Sequence, residues 1–169
     1  MFLSGGGSAT VTTKLSGDFG AVADGIALLP LSGHIDHPEQ ALACPCDPTT
    51  QCTCQPFIPT PDLAQVLPDA LTLTTIRASF TTTQAGEFSG PLALQATLWS
   101  ESNGSGTSRP TALACGVFLP TVVAVGTTVT CVGNVPTSLT AQDRALIVVS
   151  ATSASVQAVE LTSTVGVSG

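Results

Sequence analysis

Short runs in which apolar residues alternate with threonine or serine recur along the whole chain, and no other pattern in it is as constraining. They are ATVTTKL (9–15), ALTLTTIRASFTT (70–82), PLALQATLWSES (91–102), GTTVTCVG (126–133), RALIVVSATS (144–153) and SVQAVELTSTVGV (155–167). With GIALLPL (25–31) and TALACGVFL (111–119) they make about eight candidate strands. A period of two sends successive side chains to opposite faces of a sheet. One face is then apolar and fit for burial, and the other shows hydroxyls to water. Turn chemistry separates the runs at QAGEFSGP (84–91), SNGSG (102–106) and GNVP (133–136). Many short strands at this spacing predict an all-β antiparallel sandwich or barrel. Only TPDLAQVLP (60–68) has helical features, with Thr60 as N-cap, Pro61 at the first helical position and Pro68 as a stop. It is long enough for one turn, and a short strand fits equally.

At 169 residues the chain is most simply one domain, 1–169. Its charge is sparse: 4 Lys or Arg against 11 Asp or Glu, for a net −7. The basic residues Lys14, Arg77, Arg109 and Arg144 form no patch that would release counterions from phosphates, which argues against nucleic acid and against an anionic membrane surface. No run reaches the length of a spanning helix, since Asp24 and Pro120 interrupt the two most apolar stretches. A solitary soluble domain usually carries more charge. The expectation is a domain that covers much of its surface with copies of itself. MFLSGGGSAT lacks the basic and apolar regions of a signal peptide. Residues 1–9 read instead as a flexible assembly segment. The apolar tip Met1, Phe2 and Leu3, carried on Gly5–Gly7, would reach a neighbour's sheet or groove.

Region 34–62 departs from the rest and reads as a Cys/Pro-rich loop insertion between two strands. It holds His34, His37 and six prolines, and Cys44, Cys46, Cys52 and Cys54 fall within eleven positions as two C-x-C pairs. Folding back about Thr49 sets Cys44 against Cys54 and Cys46 against Cys52 on one face, within disulfide reach. Pro45 weakens that hairpin, having no N–H to give. Disulfides within or between chains, a tetrathiolate metal site and free thiols all remain open. C-x-C is tighter than the usual zinc knuckle, and C-x-x-C redox spacing is absent. His34 and His37, with Asp36, are weak metal candidates and read more simply as residues of a polar turn. Cys115 and Cys131 would face each other in a hairpin centred near Val123, as a third disulfide or as two small buried hydrophobes.

Nothing points to catalysis: no G-x-S-x-G, P-loop or dinucleotide fingerprint appears, and no cofactor is implied. Trp99 and Phe88 are expected in or near the core. Asn103-Gly104-Ser105 matches a glycosylation sequon but is first a turn signal.

LTLTTIRASFTTT, LALQATLWSES, ALACGVFLPTVVAVGTTVTC and VPTSLTAQDRALIVVSATS, in that order, resemble the C-terminal domain of BclB-like exosporium glycoproteins. FLSGGGSATVTTKLSGDFGAVADGIAL and SGHIDH resemble that family's opening strands. The resemblance implies a jelly roll of tumour-necrosis-factor-like shape displayed on bacterial spores, with PDLAQVLP as a strand. The chain departs from the family in beginning almost at the domain, without a collagen-like stalk, and in carrying the cysteine-rich insertion. The implied role is a structural subunit that self-assembles into a spore-surface layer or fibre, reinforced by disulfides. The alternative is a trimeric binding head anchored to other coat proteins. Either way the partners are further copies or coat proteins. The location is extracellular without a signal peptide, because coat proteins are released when the mother cell lyses.

Overall fold

The computed structural model describes residues 2–15, 21–23, 25–36, 39–41, 58–59, 62–153 and 158–169. Its eight principal strands are β1 (Phe2–Leu15), β2 (Gly25–Pro30), β3 (Thr75–Thr82), β4 (Leu92–Glu101), β5 (Thr107–Leu119), β6 (Thr128–Gly133), β7 (Arg144–Ser153) and β8 (Ala158–Ser168). Each contains or overlaps one of the alternating runs. They form two antiparallel sheets in the orders β1-β8-β3-β6 and β2-β7-β4-β5. Consecutive strands thus mostly lie in opposite sheets, which is the arrangement of a jelly roll. Short strands extend the edges: Gly33–Asp36 runs parallel to β1, Glu39–Ala41 pairs with β2, and Ile58–Pro59 pairs with β5. Both ends of the 34–62 region are therefore laddered onto the sandwich. Within PDLAQVLP, Gln65–Val66 pairs with β7 as a short strand.

Alternation decides what is buried. Ile76, Ala78 and Phe80 of β3 face Leu92, Leu94, Ala96 and Leu98 of β4 and Ala145, Ile147 and Val149 of β7 across the interior. Removing each large side chain of this kind from water is worth about 1.5–3 kcal/mol. β7 is apolar on both faces. Its Leu146 and Val148 form a second cluster with Leu28, Trp99 and Ala64 on the outside of the second sheet. Trp99 therefore packs in this satellite and not in the main core, whereas Phe88 packs half-buried against the main core.

The sandwich has two seams, closed by different means. On one side a Cβ at Gly5 would overlap the carbonyl oxygen of Pro30, so β1 and β2 meet only because residue 5 is glycine. On the other side a Cβ at Gly133 would overlap the carbonyl oxygen of Ala114, so β6 and β5 approach in the same manner. There the Cys115–Cys131 disulfide joins the two edge strands, with 5.6 Å between Cα atoms.

Candidate functional site

The residues singled out from the sequence for assembly, cross-linking or metal binding fall in different places. Met1, His37, Cys44, Cys46, Cys52 and Cys54 lie outside the described residues. His34 lies on the Gly33–Asp36 strand, and its backbone stands opposite Gly6 of β1. Among the described residues no three His, Cys, Asp or Glu side chains come together as a metal site. Phe2 and Leu3 open β1, which corrects the expectation of a flexible reach over 1–9. From Phe2 to Thr12 the segment is paired residue by residue with β8. The glycines that read as a spacer serve close packing instead, since any side chain at residue 5 would push β1 off β2.

Cys115 and Cys131 are bonded, but not as partners in a hairpin. Their strands belong to opposite sheets, and Val123 pairs with Gly86 instead. Pro120 and the tight turn closed by Thr127 N–H donating to the Ala124 carbonyl carry the chain from one sheet to the other. The disulfide is a staple between layers.

The most distinctive surface is the outer face of the first sheet. Register places its outward residues in rows. Ser4, Gly166, Arg77 and Val132 form one row, Gly6, Thr164, Ser79 and Thr130 the next, and Ser8, Thr162, Thr81 and Thr128 a third. Phe2, Ser168 and Thr75 lie above them. Hydroxyl pairs tie neighbouring strands, with Ser8 to Thr162 at 3.3 Å and Thr81 to Thr128 at 2.8 Å. His34 and Asp36, on the short strand beyond β1, stand opposite Gly6 and Ser8. On the four long strands Arg77 is the one ionisable residue of these rows. Glu160, exposed, stands on β8 one row beyond their lower end. The Phe2 ring lies over Gly166 and is 68% exposed, and Val132 is 50% exposed. Between them runs a trough of about 400 Å³ lined in part by Arg77, Gly166 and Thr164. Its hydroxyls and single cation supply no nucleophile–base pair, and what the face offers is contact.

A second polar group was not anticipated. Glu101 and Asp143, 2% and 6% exposed, flank the 102–106 turn. Glu101 Oε1 accepts from the Gly106 amide at 2.6 Å, and its other oxygen lies 3.8 Å from Arg144 Nη1. Asp143 accepts from the Thr140 amide at 2.8 Å and the Asn103 amide at 3.3 Å. Burial alone would push the Asp143 carboxyl up, but the hydrogen bonds from Thr140 and Asn103 outweigh it and hold the group below its ordinary value. Both acids anchor the turn. The available signal was an acid placed beside each turn sequence, SNGSG and TAQD, where carboxylates accept free amides.

No protein-family model and no curated protein matches the chain. Among solved structures it is similar to Eiger TNF from S. frugiperda, at 10% identity and a TM-score of 0.38, over 95% of this chain and 90% of that one. It is also similar to a structure of infectious bursal disease virus Gx strain, at 12% identity and a TM-score of 0.29, over 99% of this chain and 56% of that one. The jelly-roll assignment stands on the strand order described above.

Proposed function

We propose that the chain is a structural subunit that self-assembles, forming part of a layer or fibre on a bacterial spore surface. The observation that carries the reading is the pairing of sparse charge with exposed bulk. Phe2, Phe118, Val122 and Val125 are each about two-thirds exposed on a chain whose residues are only 9% charged. Apolar side chains left in water on so weakly charged a domain favour contact with further copies. The spore setting rests on the resemblance to BclB-like exosporium domains. The inter-sheet disulfide agrees with a protein that ends in an oxidising environment.

Electron microscopy of the purified protein, with and without reductant, tests the proposal. Fibres or sheets support it. Discrete trimers would favour a displayed binding head, and a monomer at every concentration in an ultracentrifuge would overturn it.

A further inference from the structure

We infer that the outer face of the first sheet is a self-docking surface, on which two copies stack face to face about a two-fold axis running across the strands. The inference rests on the self-assembly reading above and names the surface.

Charge is the first argument. Two bodies of net charge −7 repel, and contact is least costly where the acids are missing. On β1, β8, β3 and β6 the four rows from Phe2 down to Ser8 hold no acid, and Asp36 stands at their edge, on the short strand beyond β1, opposite Ser8. Their one cation, Arg77, stands near the upper end, and Glu160 stands just beyond the lower end. Neither has an ion-pair partner among the described residues. A two-fold axis across the strands reverses top and bottom. It sets Arg77 of each copy beside the partner's Glu160, giving two reciprocal pairs. An axis along the strands would instead lay Arg77 near the partner's Arg77. The opposite placement of the two charges thus selects one orientation.

Shape and size agree. Isologous stacking needs a face that is self-complementary, and this one is built mainly of small Ser, Thr and Gly residues, with Phe2 as its tall feature beside the trough. The same rotation carries the Phe2 ring toward the lower end of the partner's β8. There a cleft of about 150 Å³ opens between Phe88 and Ala158. Four strands at ~4.8 Å and four rows at ~6.8 Å cover roughly 500 Å² per copy, or about 1,000 Å² for the pair, near the lower bound of a specific interface. The contact is therefore weak between free subunits and becomes effective where copies are already concentrated.

Charge reversal tests this on the full chain. R77E, E160R and the double variant R77E/E160R are compared with the parent by sedimentation equilibrium across a concentration series at low salt. Circular dichroism confirms that each variant is folded. Each single change turns both pairs into like-charge contacts and should weaken dimerisation by about tenfold. The double variant restores the pairs with signs exchanged and should recover the parent's association. Singles that associate like the parent, or a double variant no better than the singles, overturn the inference while leaving self-assembly intact. A parent that never associates overturns the self-assembly reading as well.

Discussion

Removing the inter-sheet disulfide gives a result whose size follows from the structure. The bond joins residues 16 apart, and Cys115 and Cys131 are 6% and 9% exposed. Cross-linking a loop of that length removes about 10 cal/mol/K from the unfolded chain, or about 3 kcal/mol at 25 °C. In C115A/C131A the loss of two buried sulfurs adds about 1 kcal/mol more. An unfolding entropy of about 2.1 cal/mol/K per residue gives this 169-residue chain about 0.35 kcal/mol/K, so a total loss of about 4 kcal/mol lowers Tm by about 11 °C. Urea and thermal melts followed by circular dichroism, at concentrations where the protein is monomeric, measure both quantities. Substitution is preferred to reductant because it changes these two residues alone. The urea m-value should rise in the variant, since the unlinked chain exposes more surface on unfolding. A stability loss below about 1 kcal/mol with an unchanged m-value would refute the view that the bond constrains this seam.

Other outcomes follow from single positions. Gly5→Ala should cost about 2 kcal/mol or more, because its Cβ meets backbone at Pro30; Gly116→Ala, where the nearest atom is 3.5 Å away, should cost far less in the same melts. Gln142 has φ of 74°, so Gln142→Gly should stabilise by about 0.5–1 kcal/mol in urea titrations. Asp143 is held below its ordinary value when folded, so its contribution is complete above about pH 4 and is lost as pH falls through the lower folded value. Asp143→Asn should therefore destabilise at pH 7 by about 1.5–3 kcal/mol and flatten the acid side of a stability–pH profile measured by urea melts.

The strands that alternate cleanly were the legible part of the fold. β3 and β8 alternate between inward residues and outward polar ones, and burial follows that pattern, whereas β7 is apolar on both faces. The first half of β1 was illegible because Gly5–Gly7 has no side-chain period to read, and glycine marks a linker and a close approach equally. Spacing brought Cys115 and Cys131 together but not their topology, since a hairpin and a crossing between sheets can bring the same two residues close. The anchoring of the 102–106 turn needed two acids from distant parts of the chain, Glu101 and Asp143, and sequence distance hides such a meeting. The sparsely charged face needed strand order as well as alternation, because only register shows which outward residues share a row.

The pairing of β1 with β8 bears on how the molecule is made. Phe2 lies beside Ser168, so β1, the earliest made of the eight strands, waits for β8, the latest, before their ladder can form. Until β8 is made, the first sheet lacks one of its inner strands and β1 has no long partner. Closure must follow the emergence of β8, at the slow pace of pairings between distant segments. Loss of even the final dozen residues would deprive both β1 and β3 of the strand between them.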